Sequence, residues 1–256
     1  MQITLKSSHI ALWCFPLAVL AVQLLPPESI LVGGIVFSAF GFTKRFRVLL
    51  LFGFMCLGHL FWLFTAQYFT ATLSNVPLSI VLNRFGLLGY VLLFAVWARV
   101  SPCVGYLKLG SMNETLKAPF IWRGRDESVR RFMLIACSAW IAPAIVFTFL
   151  HGDLIRFMPY ALLFALVNPI LEGVVWRGLI LGRAVSYVGE EQGLFLSSLA
   201  FGIYHLSLGF SIWACLLIAV GGFYMGGIAV KSRGFFAATL LHICVNLALI
   251  SFGIIF

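Results

Sequence analysis

Apolar positions along this chain run on in unbroken stretches of about 13 to 24 residues, without the period-two alternation of barrel strands. Short polar clusters separate the stretches. A helix needs about 20 apolar residues to cross a bilayer, and in hydrocarbon a spanning backbone must satisfy its own polar groups. The pattern therefore predicts an all-α, polytopic transmembrane bundle of about nine spans. These are Ile10–Leu25, Ile30–Phe42, Leu49–Phe69, Pro77–Ala98, Phe132–Leu150, Met158–Leu181, Gly193–Leu208, Phe210–Val230 and Phe235–Ile255. The second is short, and only a Ser-Leu-Gly turn divides the seventh from the eighth. The first span is not followed by a small-residue cleavage site, so it reads as a helix rather than a signal peptide.

Composition agrees. The 256 residues are 62% hydrophobic and 10% charged, against about 25% charged for soluble domains. The net charge of +9 is distributed as a membrane protein requires. Lys6, Lys44, Arg45, Arg47, Lys231, Arg233 and the basic loop 99–131 all fall on one side of a nine-span topology. Arg156, and Arg84 near a helix end, fall on the other. The positive-inside rule then puts the N-terminus in the cytoplasm and the C-terminus outside. A bacterial inner membrane is the expected location. The charge orients the chain and calls for no nucleic-acid partner.

Loop 99–131 is the one sizeable soluble piece and reads as an interfacial linker mixing Phe120, Ile121 and Trp122 with arginines. It divides an N-terminal region, 1–150, from a C-terminal core, 151–256. The six cysteines have no paired spacing, so neither a disulfide framework nor a zinc ribbon is expected.

Mid-membrane polar residues concentrate in the last four spans: Asn168, Glu172, Arg177, His205, Tyr224, His242 and Asn246. At about 1.5 Å per residue, Glu172 lies roughly 16 Å from the cytoplasmic end of its helix and His205 about 18 Å. His242 and Asn246 lie about 12 and 18 Å deep by the same rise. Three helices running in alternating directions thus bring their polar residues to one depth, where ionisable groups ordinarily face a bundle interior. His242 and Asn246 share a face at i, i+4, as do Phe201 and His205. Glu172 and Arg177, at i, i+5, are poorly placed to pair on a straight α-helix. Pro169 removes a backbone donor one turn before Glu172. His59 reads as a packing residue, Arg177 as a structural anchor or snorkelling group, and the Gly221, Gly222, Gly226 and Gly227 set as a close helix-packing surface.

Amide hydrolysis needs an activated water, a route for a proton to the leaving amine, and donors for the oxyanion. A glutamate, two histidines and an asparagine suffice. Two histidines and a glutamate also match the ligand count of some catalytic zinc sites. If Glu172 were a ligand, however, no second carboxylate would stand at that depth to act as base. The metal-free arrangement is the simpler one, with zinc on His205, His242 and a third group as the alternative. The parts of other intramembrane protease chemistries are missing, including a His-Glu-x-x-His helix.

Three segments carry a family resemblance. "EGVVWR", from Glu172, resembles the Glu-Glu-x-x-x-Arg motif of the CAAX-protease and bacteriocin-processing family of glutamic intramembrane proteases. "FGIYH", Phe201 to His205, resembles its Phe-x-x-x-His motif, and "HICVN", His242 to Asn246, its His-x-x-x-Asn motif. The resemblance covers about Met158 to Phe256. It implies an intramembrane endopeptidase acting on a membrane-tethered or amphipathic peptide. Glu172 would be the general base assisted by His205, His242 and Asn246 would support the oxyanion, and Arg177 and Phe201 would play supporting parts. The family's second Glu is Gly173 here, which leaves Arg177 without its i, i+4 partner and in need of Glu190, Glu191, a carbonyl or the headgroup region. That departure is the argument for the alternative, a non-catalytic partner-binding or immunity protein of the same fold.

Overall fold

The computed structural model describes residues 10–43, 46–100, 105–151 and 158–255. Lys6, Lys44, Arg45, Cys103, Asp153 and Arg156 lie outside the described residues. Helices α1 (Phe15–Leu24) and α2 (Pro27–Gly41) meet at the Pro26-Pro27 pair, where the extended backbone of Pro26 breaks the helix. Helix α3 (Leu49–Thr72) packs back on α2. Helix α4 (Val76–Asn83) is capped by Asn75, whose side chain accepts the Leu78 N–H at 3.0 Å. A 3₁₀ turn, Arg84–Leu87, joins it to α5 (Leu88–Val100).

Helix α6 (Val129–His151) lies on the rim, with Leu134, Ile135, Val146 and Phe149 exposed as a lipid-facing surface requires. Helix α7 (Met158–Glu172) continues through a π-helical segment, Gly173–Ile180, into α8 (Leu181–Val188). Gly189, at φ 83°, turns the chain into α9 (Glu190–Tyr204). A 3₁₀ turn, His205–Leu208, leads to α10 (Ile212–Ser232) and then α11 (Phe236–Ser251).

This helical bundle is an integral membrane protein. Among the described residues, five helices are long and apolar enough to cross a membrane: Leu49–Thr72, Val76–Arg99, Val129–Leu150, Met158–Val188 and Ile212–Ser232. Phe15–Leu24, Pro27–Gly41 and Phe236–Ser251 are apolar but shorter. The remaining expected span, Gly193–Leu208, coincides with α9 and the 3₁₀ turn after it.

One expectation needs correction. Loop 99–131 is not a plain linker, because strands β1 (Thr115–Pro119) and β2 (Gly124–Ser128) pair antiparallel within it. The fold is thus helical with one small hairpin. Ile121, at φ 68° and fully buried, plugs onto Gly227 of α10. Ser111 N–H donates to the Ser232 carbonyl at 2.8 Å, and Phe235 N–H to that of Lys108 at 3.0 Å. Gly110 and Gly234 lie backbone to backbone, with no space for a Cβ on either. The hairpin and its approach strand therefore form a cap clamped to the α10–α11 junction. Arg84, expected near a helix end, is the C-cap of α4, at the break that divides it from α5. Of the glycines in α10, Gly222, Gly226 and Gly227 do meet close neighbours, whereas Gly221 faces open space.

The larger core is shared by both ends of the chain. Phe15, Leu50, Phe54, Tyr90, Phe94 and Trp97 pack with Trp176, Ile180, Phe201 and Tyr204. His59 belongs to this aromatic region, stacked 5.5 Å from the Trp62 ring and edge-on to Tyr204 at 6.0 Å. It packs there, as its position in the sequence suggests.

Candidate functional site

Glu172 ends the α-helical part of its span and is 2% exposed. The π segment begins at the next residue and closes with Leu181 N–H on the Trp176 carbonyl, an i→i+5 bond. Positions five apart stack in such a segment much as positions four apart do in an α-helix. The straight α-helix assumed from sequence does not hold here, although no ion pair closes between Arg177 and Glu172 among the described residues.

Arg177 does not snorkel. It is 2% exposed, and its electrostatic interaction is with Glu172. Nη2 donates to Met225 Sδ at 2.9 Å, and Nη1 lies 3.4 Å from His242 Nδ1. The guanidinium also lies over the Phe201 ring, 4.8 Å from its centre. Glu190 is not its partner; that carboxylate faces Lys231 at 3.9 Å. Phe201 thus supports the site by holding Arg177 and by packing 4.8 Å from the His205 ring.

The histidine tautomers follow from these contacts. A guanidinium has only donors, so His242 Nδ1 is the acceptor and its proton resides on Nε2 when the ring is neutral. That Nε2 faces Glu172 Oε2 at 3.7 Å, beyond the 2.7–3.2 Å range of a made hydrogen bond. His205 is reversed. Its Nδ1–H donates to the Phe201 carbonyl at 2.8 Å, leaving Nε2 as a lone-pair acceptor in the neutral ring. His205 also interacts electrostatically with Glu172.

Asn246 stands one turn beyond His242 on α11, and Thr239 three residues before it, both buried. Asn168 stands one turn before Glu172 on α7. Among the described residues, Asn168 Oδ1, Glu172 Oε2, Thr239 Oγ1 and Asn246 Nδ2 have no hydrogen-bond partner. A buried polar atom left unsatisfied costs about 1–3 kcal/mol. Four of them on two facing helices make a lining suited to receive water and a peptide group. A separate cavity of about 10 Å³, on the order of one water, is lined by Arg177, Ser198 and Phe201 but not by Glu172.

Gly173 explains its own presence. A Cβ there would meet Thr239 Oγ1 at 2.6 Å and the Phe235 ring at 3.2 Å, so α11 occupies the space a larger residue needs. Thr239 was not foreseen as part of the site. Neither was Arg84, whose guanidinium interacts electrostatically with Glu172 and lies 5.2 Å from the Phe164 ring centre. The signal for Arg84 was present in the sequence as a cation eight residues into an apolar helix.

The zinc alternative fits these residues poorly. Among the described residues no three His, Cys, Asp or Glu side chains gather as a metal site. The imidazole of His242 is flanked by the Arg177 cation, which repels a second cation there. No step of the chemistry is routed through a metal below.

No curated protein and no solved structure matches the chain. Residues 154–248 match the family model described as "Type II CAAX prenyl endopeptidase Rce1-like". Glu172, Arg177, Phe201, His205, His242 and Asn246 all fall inside that match. The helices carrying the candidate site thus form an Rce1-like domain, similar to a family of proteases.

Proposed function

We propose that the protein is an intramembrane endopeptidase of the metal-free glutamic type, with its catalytic core in 151–256. It would cut a peptide bond in a membrane-tethered or amphipathic peptide. Glu172 takes a proton from the attacking water as general base. His205, with Nε2 free to accept, assists it and carries a proton towards the leaving amine. His242 Nε2–H and the Asn246 amide donate to the oxyanion, contacts of a kind worth about 2.7–4 kcal/mol each. Arg177 fixes the His242 tautomer, and Phe201 holds Arg177.

The observation that carries this reading is the pairing of Glu172 Oε2, buried and without a hydrogen-bond partner, with the His242 Nε2 that faces it at 3.7 Å. In apo sites such contacts are often long and tighten only in the reacting complex. The nine-span topology, with the N-terminus cytoplasmic in a bacterial inner membrane, belongs to the same proposal and rests on the distribution of basic residues.

The test compares terminal peptides of membrane proteins, by mass spectrometry, between cells carrying the native chain and cells carrying Glu172→Gln. Termini present only with Glu172 support proteolysis and name the substrate. Identical profiles, with the variant present at native levels, would assign the fold to partner binding instead.

A further inference from the structure

The cap carries more positive charge than its own acids neutralise. Between 105 and 131 the chain has six cations, Lys108, Lys117, Arg123, Arg125, Arg130 and Arg131, against three carboxylates. Each carboxylate is already engaged: Asp126 with Lys117 at 3.2 Å, Glu127 with Arg131 at 3.4 Å and Glu114 with Arg233 at 3.9 Å. Lys108, Arg123, Arg125 and Arg130 are exposed and close no ion pair among the described residues.

Position gives this excess a direction. Strand β2 runs without a break into α6, whose second and third residues are Arg130 and Arg131. Arg130 shares a helix face with Leu134, and Arg131 with Ile135, each pair four positions apart. Leu134 and Ile135 are both 63% exposed on the lipid-facing rim. The arginines thus stand about 6 Å outward of side chains that meet hydrocarbon, and helical side chains lean towards the N-terminal end. Their guanidinium groups are therefore at headgroup level. Phe120, at the turn of the hairpin, is 61% exposed, and Leu109 on the approach strand 71%. Apolar side chains interleaved with cations are the composition of a segment that lies in a membrane interface.

We propose that the cap is a docking surface for anionic lipid headgroups, which supply the negative charge its own carboxylates lack. Arg130 makes the first contact, its guanidinium N–H groups donating to phosphate oxygens. Arg123, Arg125 and Lys108 extend the charged surface, and Phe120 enters the interface beside them. An acidic partner protein would match the charge equally well, but the cations are continuous with a rim that lipid covers, and that continuity favours the bilayer. Orienting the chain during insertion needs only the protein's charge; a docking surface needs the lipid's charge in the folded state as well. The proposal does not depend on the endopeptidase reading.

The test places the full chain in nanodiscs of phosphatidylcholine alone and of phosphatidylcholine mixed with phosphatidylglycerol. Hydrogen exchange of the hairpin amides, residues 112–128, is followed by mass spectrometry. At low salt the anionic lipid is expected to slow exchange about fivefold or more, since each cation at an anionic surface is worth roughly that factor. The slowing fades at high salt, where the attraction is screened. In the triple variant Arg123→Gln/Arg125→Gln/Arg130→Gln the two lipids give equal rates, whereas Arg47→Gln, outside the cap, keeps the native difference. Equal rates for the native chain overturn the proposal in favour of insertion charge or an acidic partner protein. Slowing that persists undiminished in the triple variant overturns it too. So does slowing that soluble glycerol 3-phosphate reproduces in phosphatidylcholine, which would mark a site for a free anion. The unfolding midpoint in phosphatidylcholine checks the fold of the triple variant. If that variant unfolds, Arg130→Gln alone decides: a partial loss of the slowing is expected, and an unchanged effect overturns the proposal.

Discussion

Arg177 Nη1 lies 3.4 Å from His242 Nδ1, so a residue five positions after Glu172 determines which nitrogen of His242 carries the proton facing Glu172. The π segment makes this possible, and the three contacts of Arg177 use the breadth of its guanidinium. Lysine is a point charge and cannot meet Met225, Phe201 and His242 together. Arg177→Lys is expected to lower kcat by about tenfold or more while the protein stays folded. Arg177→Ala, which removes the buried contacts to Met225, Phe201 and His242 and leaves His242 Nδ1 without a donor, is expected to cost about 1–3 kcal/mol of stability. Peptide turnover and thermal unfolding in one detergent check both.

Asn246 behaves differently. Its Nδ2 is buried without an acceptor among the described residues, so truncation breaks no bond made by that amide nitrogen. Asn246→Ala is expected to change stability by less than about 1 kcal/mol yet lower kcat about 10²–10³-fold, as loss of an oxyanion donor does. A kcat near the native value would remove Asn246 from the chemistry.

Restoring the family's second glutamate should harm rather than help. In Gly173→Glu the new Cβ meets Thr239 Oγ1 and Phe235, an overpacking that costs about 1–3 kcal/mol. Thr239→Ala removes the nearest obstructing atom, so the double variant is expected to regain part of the loss. A double-mutant cycle of unfolding midpoints measures that coupling.

The cap offers a topological test. Arg123 and Arg125 are exposed on the hairpin, so trypsin is expected to cut there in inverted membrane vesicles but not in sealed cells. Gly234→Ala, which puts a methyl into the Gly110 backbone, should loosen the clamp and speed that cleavage severalfold. Equal rates from both membrane faces would overturn the cytoplasmic assignment of the loop.

How much of this was legible in the sequence follows from what each feature depends on. Glu172, His205, His242 and Asn246 could be singled out as buried candidates because polar residues in hydrocarbon are costly and a constant rise per residue converts position to depth. The π segment could not, since one widened turn leaves no periodic signature and Gly173 and Gly178 are equally compatible with an α-helix. That single turn decides where Arg177 points. The hairpin was missed because its strands are short and mostly exposed, and Ile121 is buried by docking on Gly227 rather than by alternation. The link between Arg84 and Glu172 was not legible because it runs between two helices far apart in sequence, and spacing along one segment carries no sign of it.

The π segment is also half of a joint. Val175, Trp176, Leu179 and Ile180 are buried in the same apolar cluster as Leu12, Phe15, Leu50, Phe94 and Trp97, residues far outside 154–248. Evolutionary shuffling of the Rce1-like segment into another protein would therefore carry the buried polar groups without the wall that shapes their helix. Chimaeras exchanging that segment should fold only when the recipient's first, third and fifth helices are exchanged with it, so inheritance of the π turn runs through residues outside the matched segment.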